Sequence, residues 1–123
     1  SQETMDEGVK KINALRERVG KIGLKDNSKV FNTARIEALE VENLMEAAQA
    51  TMESAAARTE CRGAHLVRDY EHDVTHPTCP LGRNDAEWMK HTLWYMDGNR
   101  LDYKPVRMKP LTAETVPPKP RTF

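Results

Sequence analysis

Residues 29–58 read KVFNTARIEALEVENLMEAAQATMESAAAR. Within them Phe31, Ala34, Ala38, Val41, Met45, Ala48, Met52 and Ala55 recur at steps of three and four without a break. That spacing keeps one apolar stripe on a single helix face. Ile36, Leu39 and Leu44 widen it. The pattern predicts one long helix over residues 29–58, with Asp26-Asn27-Ser28 supplying the turn and N-cap before it. Ala48, Ala55, Ala56 and Ala57 are small enough to let another element approach closely. Such a stripe needs a partner. Upstream, Met5, Val9, Ile12, Leu15 or Arg16, Val19 and Ile22 show the same spacing, which predicts a helix over residues 5–19. Thr4 and Glu7 can close a capping box at its start, and Gly23 can end it. The two stripes fit a helical hairpin core better than a homomeric coiled coil, because one helix is short and uneven.

Downstream the pattern changes. Gly63 is free to turn the chain after the long helix. Residues 69–83 carry His72, His76, Pro77, Cys79, Pro80 and Gly82 and read as an irregular surface loop. Asn84 or Asp85 can cap a short helix running through Trp88. Asp97-Gly98-Asn99 between apolar runs is a hairpin signal, with strands over residues 90–96 and 100–108. Trp94 and Met96 fall on one strand face, Leu101 and Tyr103 on one face of the other, and Pro105 belongs on an edge. Residues 104–123 hold five of the seven prolines and five basic residues against one acidic residue. Pro117-Pro118-Lys119-Pro120 reads as extended polyproline II, either a loose tail or a strap along a neighbouring domain.

The expected fold is therefore mainly α, an antiparallel helical hairpin or three-helix bundle with a small C-terminal β-hairpin and an extended Pro-rich tail. It divides into a helical portion (1–66), an irregular loop (67–83), a short helix with the hairpin (84–108) and the tail (109–123).

Composition sets the limits. The chain has 123 residues, one domain's worth. Leu, Ile, Val and Phe number only 22, poor for a globular core. Net charge is zero, 19 basic residues against 19 acidic, so composition-driven disorder is disfavoured. A folded but core-poor piece leans on a partner surface to complete its burial. Zero charge also argues against a nucleic-acid or anionic-membrane binder. No apolar run approaches the ~20 residues of a membrane span. The start, Ser1-Gln2-Glu3-Thr4, does not read as a signal peptide and looks like a cut inside a longer chain. Two cysteines, Cys61 and Cys79, do not make a disulfide scaffold, and a reducing compartment fits better.

Two constellations could carry chemistry. His72, His76 and Cys79, with Cys61 and His65 nearby in sequence, offer zinc-type ligands, yet their spacing matches no common zinc module. Glu60, Arg62 and His65 place a carboxylate, a guanidinium and an imidazole just past a helix end. They can bind an anion or join a structural or interdomain network. Their side chains are expected to point away from the bundle, with Arg62 lightly engaged by this domain. Cys61 reads as a buried small residue. No phosphate-binding glycine loop and no nucleophile elbow is present.

Arg58-Thr59-Glu60-Cys61-Arg62-Gly63-Ala64-His65 resembles the Arg-(Thr or Lys)-Glu-Ser-Arg-Gly-Ala-His signature in the C-terminal domain of succinate dehydrogenase and fumarate reductase flavoprotein subunits. Phe31-Asn32-Thr33, Leu39-Glu40 and Asn43-Leu44-Met45 are similar to that family, as are Asn84-Asp85 and Trp88-Met89-Lys90-His91-Thr92-Leu93. Pro117-Pro118-Lys119-Pro120-Arg121-Thr122-Phe123 resembles the succinate dehydrogenase terminus more than that of fumarate reductase. Cys61 departs from the usual Ser, which weakens or removes a hydroxyl hydrogen bond, and the loop from His72 to Gly82 is longer than usual. The resemblance implies a parent enzyme that oxidises succinate to fumarate with covalently held FAD. Such a parent passes electrons to an iron–sulfur subunit and sits beside membrane-anchor subunits, on the cytoplasmic face of the bacterial inner membrane or the mitochondrial matrix side. It implies that FAD and substrate are held upstream, with no catalytic, cofactor or metal residue in this chain. Glu60, Arg62 and His65 then fix this domain against the flavin domain. The competing expectation is a free-standing helical interaction module, with or without zinc.

Overall fold

A computed structural model describes residues 1–119. The chain is mainly helical with one small hairpin. Helix α1 spans Gln2–Val19 and α2 spans Thr33–Ala57. A one-turn helix α3 covers Asp85–Trp88, and strands β1 (Lys90–Tyr95) and β2 (Arg100–Pro105) follow. Single 3-10 turns sit at Arg68–Tyr70, Pro80–Gly82 and Asp97–Asn99.

The helix ends differ from the expected ones for local reasons. The Ser1 hydroxyl accepts from the Thr4 amide, so α1 starts three residues before Met5 and the cap is Ser1, not a Thr4–Glu7 box. Its C-cap is Gly20 in a right-handed conformation, not Gly23. At the start of α2, Phe31 takes φ 51° and cannot lie within a helix. Asn32 caps instead, accepting from the Arg35 amide at 2.8 Å. The Asn32 side-chain amide also donates to the Asp26 and Ser28 carbonyls at 3.0 and 2.9 Å. Asp26-Asn27-Ser28 is a turn, as its chemistry says, but it is folded four residues ahead of the helix and held by Asn32.

α1 and α2 run in opposite senses. Gln2 reaches the Ala56 carbonyl at 2.8 Å, Met52 packs on Gly8, and Asn13 bonds Gln49 and Glu53. A Cβ on Gly8 would stand 2.8 Å from the Met52 sulfur, so the helices are in close contact there. The apolar seam is only partly used. Phe31 is 97% exposed and Leu44 67%, and Ile36, Leu39 and Val41 also face solvent. The residue of α2 that is fully buried is polar, Gln49. Its amide donates to Asn13 at 2.6 Å, Asn13 donates to Glu53 at 2.9 Å, and Asn99 donates to the same Glu53 oxygen at 2.8 Å. Trp94 closes the chain by donating to Asn99 at 2.7 Å. The helix pair and the hairpin are thus joined by a satisfied polar relay.

The strands pair antiparallel, Lys90 opposite Pro105 through Tyr95 opposite Arg100. The connection is four residues, because Met96 turns into the right-handed region and leaves the strand. Met96 is therefore exposed and does not share a strand face with Trp94. Gly98 and Asn99 take positive φ (69° and 46°), the conformations this loop demands. β2 stops at Pro105 rather than at Met108. Among the described residues no third long helix stands beside α1 and α2. Among the described residues the buried apolar side chains are Cys61, Val67 and Trp88, so the core lies where the end of α2 meets α3 and the loop. Beyond Pro105 the described residues form no further helix or strand. The end of the Pro-rich tail, residues 120–123, lies outside the described residues.

Candidate functional site

α2 ends at Ala57, and Arg58, in an extended conformation, leads into a bend at Glu60. The side chains of Arg58 and Arg62 converge on the Glu60 carboxylate. Glu60 is completely buried at its side chain and accepts four hydrogen bonds. Arg58 Nη1 donates to Oε1 at 2.6 Å and Arg62 Nε to the same oxygen at 2.7 Å. Arg62 Nη2 and the Asn84 amide donate to Oε2 at 3.0 and 2.8 Å. A buried carboxylate is tolerable only when its lone pairs are filled in this way.

Both arginines extend the network. Arg58 also donates to the Trp88 and Lys90 carbonyls and to Thr92, tying α2 to α3 and β1. Its guanidinium lies 4.9 Å from the Trp88 ring centre. Arg62 donates to Asp85 at 2.6 Å, and Arg83 grips both oxygens of Asp85 at 2.7 and 2.6 Å. The Glu60 hydrogen bond is the main reason the Arg62 guanidinium is held even more firmly protonated than usual. The Arg83 hydrogen bonds are the main reason Asp85 is held below the usual carboxylate range. Arg62 is 28% exposed at its side chain and turns inward to Glu60 rather than simply outward.

A tight turn sets the remaining member. Arg62 and His65 exchange backbone hydrogen bonds of 2.8 and 3.0 Å around Gly63, whose φ is 60°. The His65 ring then reaches the Arg58 carbonyl through Nε2 at 3.0 Å. A carbonyl only accepts, so Nε2 carries the proton there. The structure brings Glu60, Arg62 and His65 together around Arg58. Arg58, Arg83, Asn84 and Asp85 are the members that sequence reasoning left out of the site. The alternating charges Arg58-Glu60-Arg62 were the available signal, since a carboxylate with an arginine two residues away on either side can draw both to it.

Beside this network lies an open cleft of about 480 Å³. Arg58, Arg62, His65, Trp88, Lys90 and His91 contribute to its walls, and no carboxylate does. Lys90 Nζ lies 4.4 Å from the Trp88 ring centre and 4.2 Å from that of Tyr103.

Cys61 is buried, and its thiol donates to the Val67 carbonyl at 3.3 Å. Cys61 thus still presents a hydrogen-bond donor at the position the resemblance gives to serine. Gly82 presses on it: a Cβ there would meet Cys61 at 2.9 Å and collide with the Tyr70 carbonyl, and its φ is 77°. His72 and His76 stack with ring centres 4.2 Å apart. His76 Nδ1 accepts from the Cys79 amide at 3.0 Å. Among the described residues no three His, Cys, Asp or Glu side chains gather as a metal group. Cys61 and His65 are turned to other partners. A dinucleotide needs a strand, a glycine-rich turn and a helix N-terminus in sequence. Here β1 passes through Gly98 into an antiparallel strand, so the described residues do not fit FAD. No helix is long and apolar enough to cross a membrane among the described residues.

Residues 1–123 match the family described as Fumarate reductase flavoprotein C-term, and the chain belongs to that family. It is 44% identical over 120 residues to the succinate dehydrogenase flavoprotein subunit of Coxiella burnetii, covering 98% of this chain and 19% of that protein. It is 39% identical over 127 residues to the mitochondrial succinate dehydrogenase [ubiquinone] flavoprotein subunit of Oryza sativa, covering 100% and 19%. Similarity extends to the fumarate reductase flavoprotein subunit of Haemophilus influenzae, 36% identical over 110 residues, covering 87% and 17%. The chain thus spans about a fifth of the length of the curated relatives it matches. A free-standing helical module is not favoured beside a family match along the whole chain.

Proposed function

We propose that this chain is the C-terminal domain of a succinate dehydrogenase flavoprotein subunit, a structural domain packed on the flavin-binding part of the same polypeptide. The observation that carries this is the end-to-end similarity to such subunits. The whole subunit oxidises succinate to fumarate with FAD bound outside residues 1–123 and passes electrons to an iron–sulfur subunit. Membrane-anchor subunits hold that complex at the cytoplasmic face of a bacterial inner membrane, or at the matrix side in a mitochondrion.

Within the chain, residues 1–66 form the helical portion of a bundle completed by its neighbour. Residues 67–83 are a loop, 84–108 the short helix and hairpin, and the Pro-rich tail follows from 109. Arg83 donates to the Lys119 carbonyl at 2.7 Å, which ties the tail back to this domain at that point. Glu60, Arg62 and His65 fix the domain to the flavin domain, with Glu60 as the buried anchor and Arg62 and His65 at the contact. The test compares the full-length subunit with residues 1–123 alone. The long form is expected to hold flavin through gel filtration and to reduce a dye with succinate. The short form is expected to do neither. Stoichiometric flavin on the short form would refute the assignment.

A further inference from the structure

The cleft beside Glu60 combines features that the internal network does not use up. Its walls carry Arg58, Arg62, Lys90, His65 and His91, and no acidic residue. The two carboxylates behind it are already spent. Glu60 is saturated by Arg58, Arg62 and the Asn84 amide, and Asp85 is shared by Arg62 and Arg83. Unspent donors remain. Arg62 Nη1 makes no hydrogen bond among the described residues, although Nε and Nη2 do. Lys90 Nζ rests on two aromatic rings and has no ion pair among the described residues. Aromatic faces attract an ammonium but leave its N–H bonds on the open side unfilled. The Trp88 ring also limits water on one wall, which strengthens a charge pair formed there.

We propose that this cleft receives a carboxylate, carried by an Asp or Glu that protrudes from the part of the same polypeptide outside residues 1–123. This rests on the reading that the Arg62–His65 face docks on the rest of the subunit. A free dicarboxylate would carry the same chemistry. The cleft is broad and open, however, whereas small-ligand sites enclose most of their ligand. A side chain presented by a docked surface needs no such enclosure, because the docking itself excludes water. The guanidinium offers a two-pronged contact and Lys90 a point charge beside it.

The experiment uses the full-length subunit and a water-soluble carbodiimide, which joins an amine to a carboxylate only where the two already touch. Peptide mass spectrometry is expected to find Lys90 amide-linked to an Asp or Glu outside residues 1–123, with loss of the product in Lys90→Gln. Acetylation of Lys90 is measured in parallel on the full-length protein and on residues 1–123. Equal labelling in both defeats the docking reading and this inference together. Protection in the full-length protein, with no outside carboxylate joined, leaves docking standing and overturns the carboxylate. Linkage only to Glu87 or Asp102 overturns it as well. Succinate added to residues 1–123 is the last arm. Protection of Lys90 by succinate but not by the neutral diamide would assign the cleft to a free dicarboxylate and defeat the side-chain source.

Discussion

Glu60 shows how one residue's environment sets its worth. Its carboxylate has no solvent contact and two guanidinium partners. Glu60→Ala leaves those cations facing a cavity, and removing one member of a buried pair costs ~3–5 kcal/mol. Urea unfolding of residues 1–123 is expected to show that loss. Arg62→Ala removes two hydrogen bonds to Glu60 and one to Asp85. A bond to a charged group is worth about 1.5–3 kcal/mol, so this variant is expected to unfold measurably earlier than the parent chain. A change below ~0.5 kcal/mol would mean the contact is idle. Asp85 gives a pH signature. Its folded carboxyl lies below its unfolded value, so its contribution is full above the unfolded value of about 4 and fades as pH falls through the folded one. The stability gap between the parent chain and Asp85→Asn should therefore be widest near neutral pH and close in acid. The gap is modest, since Asp85 is 43% exposed and solvent screens it. At Gly82 a substitution meets both a left-handed backbone and the wall formed by Cys61 and Tyr70. Gly82→Ala adds steric collision to a conformational cost of ~1–2 kcal/mol.

Elements differ in how much of their length is engaged. The C-terminal half of α2 is held by α1, by the relay through Gln49 and Glu53, and by the arginine network. Its N-terminal half carries Ile36, Leu39 and Leu44 into solvent. Met52→Asp, against Gly8, is expected to cost several kcal/mol by burying a charge where the helices touch. Leu44→Asp is expected to stay within about 0.5 kcal/mol in residues 1–123. Thermal melts of the two variants side by side check the asymmetry, and equal losses would show that the whole stripe is core.

Across the whole molecule, three apolar side chains are buried among the described residues while many large ones are exposed. Such a surface matches a domain whose neighbour completes its burial. Leu44→Asp should therefore be nearly silent in residues 1–123 and lower flavin retention in the full-length subunit, if the exposed stripe is a docking face. Flavin retained at the parent level in the full-length variant would show that the exposed stripe is not part of the contact.

Local chemistry was readable because it acts over a few residues. Helical periodicity, the Asn84 cap and the Asp97-Gly98-Asn99 turn all depend on neighbours within one turn of chain, and so do the residues that mark the family. The cap at Asn32 was not readable in the same way, since Asp26 and Ser28 offer equal capping chemistry and the left-handed Phe31 decides between them. Which part of the apolar stripe is core also escaped periodicity. Val41 and Met52 follow one rule along the helix, yet Val41 is exposed, because burial depends on where α1 ends and on what the hairpin covers. The site divides the same way. Glu60, Arg62 and His65 stand within six residues and could be singled out by type. Arg83 and Asp85 lie more than twenty residues further on, and Asn84 joins through a backbone amide that any residue would supply. Folding alone brings them to Glu60, because a carboxylate taken out of water must find donors wherever the chain can deliver them.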